Sequence, residues 1–184
     1  MAVRLEILGH CASNRARLGR IHTPHGAFDT PAYMPVATAA AMKGLTPAQV
    51  RGTGSQCILN NTLHCMLRPG AERIARFGSS HGFMRWDGPI LTDSGGFQAF
   101  SLADLRTLDD DGVTFQSCVD GARVRLTPES SIHAQNLIGA DIIMAFDDCP
   151  PAGAEVPRER VREAMLRSVR WLERCRSAHA RPEV

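Results

Sequence analysis

The sequence has little lysine, no long apolar run and no paired cysteines, and each shortage excludes a class of protein. Lys43 is the single lysine among 21 basic residues, and the formal net charge of +2 excludes a polycation. No apolar run approaches the roughly 20 residues of a membrane-spanning helix, and no signal peptide is recognisable. The six cysteines form no C-x-x-C pair. We therefore expect a cytoplasmic protein with reduced thiols and no membrane segment.

Basic residues are concentrated near the C-terminal end. Residues 157–184 carry eight arginines and four glutamates, leaving 13 basic and 15 acidic residues in the rest of the chain. Such a segment suits either an anionic partner, such as the phosphates of a nucleic acid, or a solvated outer helix face. We favour the solvated face, because it is the commoner arrangement.

The spacing of apolar residues predicts two kinds of structure along one domain. Residues 1–36 contain short β-like stretches punctuated by proline and glycine. Beyond them, three short apolar strands alternate with helices: "CILN", "GPILTD" and "ADIIMAF". Fully apolar strands that alternate with amphipathic helices are typical of a parallel sheet covered by helices.

Capping residues and turn dipeptides locate the helices and one hairpin. Thr46-Pro47 and Thr127-Pro128 predict helix starts, and Asp120-Gly121 predicts the turn of a hairpin over residues 112–127. The helix near the C-terminal end, "PRERVREAMLRSVRWLERCR", places several less polar residues on one face. The members of that predicted face are Val161, Met165, Ser168, Leu172 and Cys175.

Polar residues end all three predicted core strands. Asn61 follows the first strand, Asp93 the second and Asp147 the third. The carboxyl ends of parallel strands open on one side of a sheet or barrel, so these side chains are expected to share a mouth. An acid after a single strand is more often a turn residue, but three polar ends in successive units indicate a site.

The loop after Asp93 suggests what such a site binds. The glycines of "DSGGF" allow the backbone to approach a flat ligand or a phosphate. A carboxylate can accept both N1–H and the amino group of guanine, and an amide such as Asn61 or Gln98 can read other ring positions. Phe97 could stack on a base or pack under the loop, whereas Phe100 is expected to pack.

Two metal-based alternatives remain open at this point. Carboxylates such as Asp93 and Asp147 can bind magnesium, and His64 with Cys65 can be read as half of a zinc site. Adjacent residues make poor joint ligands, so buried or half-buried side chains are the preferred interpretation of His64 and Cys65. The absence of a serine–histidine pair at the strand ends argues against acyl transfer by a serine nucleophile.

Several longer motifs resemble one family. The chain is similar, over essentially all 184 residues, to the N-terminal half of the tRNA-guanine transglycosylases, the enzymes of queuosine modification. "LTDSGGFQ" followed some fifty residues later by "GADIIMAFDDC" is highly specific for that family. The other matching stretches are "TPAYMPVAT", "MKGLTP", "NTLHCMLRPG" and "SVRWLERC".

The resemblance implies an α/β fold: the N-terminal part of a TIM-type (βα)8 barrel, preceded by a small antiparallel β-sheet and incomplete in this chain. Residues 1–184 are then one partial domain, with the antiparallel region at 1–36 and the first βα units at 37–184. The implied reaction exchanges guanine 34 of certain tRNAs for a 7-deazaguanine, queuine or its bacterial precursor preQ1. The implied partners are tRNA and these bases, and a homodimer or heterodimer is compatible with the family.

The resemblance also implies roles for particular residues. Asp93 matches a proton acceptor and base contact, and Asp147 matches the carboxylate that reads the purine edge. The nucleophilic aspartate that attacks ribose C1′, a "QGG" strand and a cysteine-rich zinc site belong to the other half of the family's chain. We therefore expect a truncated chain with no cofactor of its own. The remaining matching positions are the base-binding loop Ser94, Gly95, Gly96 and Phe97, and the pocket residues Asn61 and Cys149.

Departures from the family pattern leave a second hypothesis open. The family motifs "MPVGT" and "GNTYH" become "MPVAT" and "NNTLH", which introduces Ala37, Asn60 and Leu63. If the replaced glycines adopt positive φ, Ala37 would be strained. The alternative function is a non-catalytic relative or accessory subunit that binds a 7-deazapurine or tRNA. A third is an unrelated half-barrel that uses Asp93 and Asp147 for a metal.

Overall fold

The N-terminal region forms the antiparallel sheet that the sequence predicts. The computed structural model describes residues 3–101, 106–151, 153 and 155–182. Strands β1 (Arg4–His10), β2 (Arg17–Thr23) and β3 (Gly26–Thr30) pair in that order, each antiparallel to the next. The β2–β3 turn carries His25, whose ring reaches residues much later in the chain.

Parallel pairing organises the centre of the fold. Strand β4 (Ile58–Asn60) pairs in parallel with β5 (Ile90–Thr92), in the register Ile58 to Ile90. Isolated parallel bridges extend this sheet on both sides, from Val36 to β4 and from Ile142 to β5. Four chain segments therefore lie side by side, as expected for short apolar strands whose crossover connections carry helices.

The third predicted core strand, residues 140–146, does not form as a regular strand. Its pairing with β5 is limited to the bridge at Ile142. The side chain of Gln135 then takes the place of a neighbouring strand: its Nε2 donates to the Met144 carbonyl and its Oε1 accepts from the Met144 N–H, both at 2.9 Å. The Cys175 thiol similarly accepts from the Phe146 N–H. Buried backbone groups are thus satisfied by helix side chains.

Helices fill the connections, and their predicted starts are confirmed. Thr46 and Thr127 are the N-caps of α1 (Pro47–Gly52) and α6 (Pro128–Ile138), each in a capping box with proline next in sequence. Among the described residues, no helix combines the length and the hydropathy that crossing a membrane requires. The helices are α1 (Pro47–Gly52), α2 (Thr62–Leu67), α3 (Ala71–Ala75), α4 (Ser80–Met84), α5 (Gly96–Ser101), α6 (Pro128–Ile138) and α7 (Arg158–Ala178).

The predicted hairpin is confirmed and gains a strand. Strands β7 (Val113–Gln116) and β8 (Arg123–Leu126) pair antiparallel around the Asp120-Gly121 turn, where Gly121 has φ +74°. Strand β6 (Arg106–Leu108) adds a third, antiparallel to β7. With α/β crossovers and two small antiparallel sheets, the chain has a mixed α/β fold.

The face that α7 buries differs from the predicted one. Ala164, Trp171 and Cys175 are buried, so of the predicted face only Cys175 is fully covered. Val161, Met165 and Leu172 remain 48%, 55% and 50% exposed. The reason is Trp171, whose ring stacks on Phe146 at 4.8 Å and whose indole N–H donates to the Asp110 carbonyl at 2.7 Å. Burying this large ring orients the helix more strongly than several smaller apolar side chains.

Candidate functional site

The polar residues that end the parallel segments meet at one place. Asn61 directly follows β4, Asp93 directly follows β5, and Asp147 lies at the end of the segment that begins at Ile142. The Asn61 amide donates to the Asp93 carboxylate. Ser94 Oγ, one residue further on, donates to Asp147 Oδ1 at 2.8 Å. The predicted shared mouth is therefore present.

Asp93 is held by four N–H donors. Its Oδ1 accepts from the Thr62 backbone N–H at 2.8 Å and from the Gly95 N–H at 3.1 Å. Its Oδ2 accepts from the amides of Asn61 and Gln98, the latter at 2.9 Å. A carboxylate has about four acceptor positions, and all four are used. A metal ion at Asp93 would have to displace these donors, which argues against the magnesium alternative.

Both glycines of the loop are required by its geometry. Gly95 has φ +78°, a conformation that L side chains rarely adopt. A Cβ at Gly96 would lie 2.8 Å from the Asp147 carbonyl oxygen and 3.0 Å from Asp147 Oδ1. The loop therefore lies directly against Asp147. Ser131 Oγ on α6 fixes it from beneath by donating to the Ser94 carbonyl at 2.6 Å.

Asp147 retains unused acceptor capacity. Its Oδ1 accepts from Ser94, and its Oδ2 accepts from the Cys149 thiol at 2.9 Å. Burial, together with this hydrogen bond to Asp147, raises the pKa of Cys149 to about 12, so the thiol remains the donor. Two of about four acceptor positions are thus occupied by described residues, and the Asp147 side chain is half-buried. A ligand with two adjacent donors matches what remains.

Phe97 and Gln98 complete this mouth. The Phe97 ring is 64% exposed, which does not fit the interpretation that it packs under the loop. Gln98 Oε1 is buried and has no hydrogen-bond partner within the described part of the chain. Such an orphan acceptor is costly unless something binds it. The Phe100 side chain, which is expected to pack, lies outside the part of the chain that the structure describes.

A buried ion-pair network lies directly beside the site. The Asp148 side chain is fully buried, and the Arg160 guanidinium donates to both of its oxygens, at 2.6 and 2.8 Å. Arg167 adds a third contact at 2.6 Å and also reaches Asp110 at 3.1 Å. Arg174 pairs with Glu129 at 2.6 Å. These arginines of α7 hold the fold together, so the expected solvated face is wrong for them.

The departures from the family motifs are accommodated without backbone strain. Asn60 is buried, donates to the Ala37 carbonyl at 2.9 Å and accepts from Ser80 Oγ at 2.6 Å. Among the residues described, the non-glycines with positive φ are Ala40 and Arg85, so neither Ala37 nor Asn60 adopts that conformation. Leu63 is 2% exposed and packs in the core.

Three residues that support the site were not predicted from the sequence. Thr62 supplies both its N–H and its hydroxyl to Asp93, Ser131 fixes the loop, and Gln135 accepts from the hydroxyl of buried Thr92 at 2.9 Å. Ser131 and Gln135 are four residues apart and fully buried on one face of α6. Polar residues at helical spacing among apolar ones were the available signal.

The suggested zinc pair does not form a site. Cys65 is fully buried, its thiol faces the Thr38 carbonyl at 3.8 Å, and burial raises its pKa to about 12. A protonated thiol is a poor zinc ligand, because the metal binds the thiolate. The preferred interpretation of Cys65 as a core residue is confirmed.

Comparison with known proteins assigns the chain to a family. The family model described as queuine tRNA-ribosyltransferase matches residues 11–184. The chain belongs to the queuine tRNA-ribosyltransferase family. The resemblance to the N-terminal half of the tRNA-guanine transglycosylases is thereby confirmed.

Individual queuine tRNA-ribosyltransferases match over most of the chain. The protein of that name from Synechococcus elongatus is 53% identical over 182 residues, covering 99% of this chain and 47% of its own length. Those from Gloeobacter violaceus and Thermus thermophilus are 58% and 53% identical, covering 91% and 93% of this chain and 44% of their own lengths. The chain thus spans about half the length of these curated relatives.

Proposed function

We propose that the mouth at Asp93 and Asp147 binds guanine and a 7-deazaguanine, and that it serves the exchange of guanine 34 in tRNA. The observation that carries this proposal is Asp147, held against the Gly95–Gly96 loop with two acceptor positions still available. Guanine presents N1–H and its amino group side by side, and one carboxylate can accept both.

The neighbouring residues supply the other contacts that a purine needs. Phe97 is exposed and can lie against the base, and such stacking contributes on the order of 1–3 kcal/mol. The orphan Gln98 Oε1 can accept a further N–H of the base. The backbone of Gly95 and Gly96 leaves room for close approach. Queuine and preQ1 share the guanine edge, so these contacts do not select between them.

Asp93 is proposed as the proton acceptor. When the incoming base forms its bond to ribose C1′, the proton on its ring nitrogen must leave, and a carboxylate beside the base can take it. One of the four donors that now surround Asp93 must first turn away, and we assign this movement to the side-chain amide of Asn61, since Asn61 is only half-buried. The aspartate that attacks C1′ is expected from the part of the relatives that this chain does not span.

The four parallel segments support the architecture implied by the family. We propose that Val36, β4, β5 and the segment at Ile142 are the first strands of a (βα)8 barrel, with the antiparallel strands β1–β3 as an accessory sheet. Active sites of such barrels lie at the carboxyl ends of the strands, where Asn61, Asp93 and Asp147 lie here. A tRNA partner agrees with the predicted cytoplasmic location.

Ligand selectivity and base exchange together test the proposal. Calorimetric titration of the chain should detect guanine and 7-deazaguanine, with weaker binding of hypoxanthine, which lacks the amino group, and of adenine, which lacks N1–H. Equal binding of all four bases would contradict the proposal. Incorporation of labelled guanine into tRNA then separates an exchange enzyme from the non-catalytic relative, which would bind guanine without incorporating it.

A further inference from the structure

A second cluster of metal-ligand side chains lies at the opposite end of β5. His25 from the β2–β3 turn, His81 from α4 and Asp141 before the Ile142 segment place their donor atoms within 4.8 Å of one another. We propose that these three side chains bind a zinc ion. Within the described part of the chain, this is the one group of three histidine, cysteine or carboxylate residues with such spacing.

The donor set and its geometry suit zinc. His25 Nδ1 lies 2.7 Å from Asp141 Oδ1, and His81 Nε2 lies 3.0 Å from Asp141 Oδ2. Two imidazoles and a carboxylate are a common three-ligand zinc set that leaves one coordination position open, with ligand distances of about 2.0–2.2 Å. Ligands of a tetrahedral ion with such bonds stand roughly three to four ångströms apart, so the donor atoms need to shift little, but one of the two stacked rings must turn to aim its nitrogen at the ion.

The charges in the cluster favour a cation. The Asp141 side chain is 1% exposed, and its two carboxylate oxygens accept hydrogen bonds from His25, His81 and the Ile90 N–H. The His25 and His81 rings stack with centroids 3.6 Å apart, so two protonated rings would repel each other. A zinc ion between the nitrogens and the carboxylate balances the buried negative charge and requires neutral imidazoles.

The surroundings provide access and orientation. His25 is 39% exposed, whereas His81 is 7% exposed, so an ion can enter from the His25 side. Ser79 Oγ lies 3.4 Å from His81 Nδ1, the ring nitrogen that does not face Asp141. Partners of this kind orient zinc-binding histidines. Asp141 Oδ2 also accepts from the Ile90 N–H at 2.9 Å, which fixes the carboxylate to the start of β5.

The proposed site is separate from the purine mouth and from the family's cysteine-rich zinc site. It lies at the amino end of β5, whereas Asp93 follows the carboxyl end of the same strand. It contains no cysteine, and it joins the N-terminal sheet to the parallel core. Zinc bound here would therefore stabilise the attachment of that sheet without contacting the base.

The test is zinc binding by the whole chain after treatment with a chelator and dialysis. Titration calorimetry should show one zinc ion per chain, and zinc should raise the melting temperature, since a ligand of the native state stabilises it. His25→Ala should weaken binding by at least about tenfold, because even loss of a supporting residue costs that much at known sites. His25→Gln, which keeps a donor toward Asp141, controls for loss of the hydrogen bond and should bind as poorly.

Matched controls separate this site from adventitious binding. His133 is exposed on α6, and Cys118 is an exposed free thiol, so His133→Ala and Cys118→Ser should bind zinc like the parent chain. Cobalt bound in place of zinc should show the visible absorption of a tetrahedral centre, lost in both His25 variants. Absence of saturable zinc binding, or zinc binding that persists in both His25 variants, would overturn the proposal. The hydrogen bonds of His25 and His81 to Asp141 would then only attach the N-terminal sheet to the core.

Discussion

The close contact between Gly96 and Asp147 allows a specific test of how the loop supports the site. In Gly96→Ala the new methyl group would lie 2.8 Å from the Asp147 carbonyl oxygen, whereas ordinary contacts begin at 3.4 Å. The loop and Asp147 must therefore separate by about 0.6 Å. Overpacking of this kind lowers the free energy of unfolding by about 1–3 kcal/mol. Alanine favours a helix more than glycine does, but at the first residue of α5 this gain is less than about 1 kcal/mol and offsets only part of the loss.

The consequence for binding follows from the same displacement. Asp147 is proposed to accept two donors from guanine, and hydrogen bonds to charged groups contribute about 1.5–3 kcal/mol each. Misalignment of one of them corresponds to a loss of about ten- to hundredfold in affinity. We therefore expect Gly96→Ala to reduce the free energy of unfolding by about 1–2 kcal/mol and to weaken guanine binding by at least about tenfold.

Urea unfolding and calorimetric titration with guanine measure the two effects. Gly52→Ala is the matched control, because Gly52 ends α1 and a Cβ there meets nothing within 4 Å. That control should keep both the stability and the guanine affinity of the parent chain, or gain slightly in stability. Parent-like stability and affinity in Gly96→Ala would refute the argument that the loop is built against Asp147.

Three other predictions concern the fold. Asp148→Ala should lower the free energy of unfolding by about 3–5 kcal/mol in urea, because it removes the buried carboxylate of the partly buried Arg160 and leaves Arg167 with the exposed Asp110. Asp87→Ala, at an exposed pair, should change little. Thr127→Ala removes the α6 cap and should cost about 0.5–2 kcal/mol in the same assay, and the serine variant should restore most of it. The hydrogen bond from Arg174 lowers the pKa of Glu129 from 4.5 to about 2. The stabilisation from this pair is therefore fully present above pH 4.5 and is lost as the pH falls toward 2. Arg174→Gln should flatten the fall in melting temperature over that range, and an unchanged profile would contradict the pairing.

Local signals in the sequence were sufficient for much of the fold. Proline after threonine located the starts of α1 and α6, and Asp120-Gly121 located the hairpin turn, because these features depend on neighbouring residues alone. The polar ends of the apolar strands also located the mouth. Parallel pairing brings Asn61 and Asp93 together whatever the details of packing.

What escaped prediction depends on contacts between distant residues. Gln135 satisfies the backbone at Met144, so an apolar stretch that looks like a strand needs no further partner there. Trp171 sets the buried face of α7 through its contact with Phe146. Arginines on that helix reach Asp148, whose burial cannot be read from a sequence. Such long-range packing overrides periodicity, which reports only the average face of a helix.

Guanine affinity of Asp147→Asn tests the central claim most directly. The asparagine keeps the size of the side chain but replaces one acceptor oxygen by an amino group, so it can no longer accept both guanine donors. Asp120→Asn, in the exposed hairpin turn, is the control. We predict a loss of at least about tenfold in guanine affinity for Asp147→Asn, with parent-like affinity for Asp120→Asn. Unchanged guanine affinity in a folded Asp147→Asn chain would contradict the account.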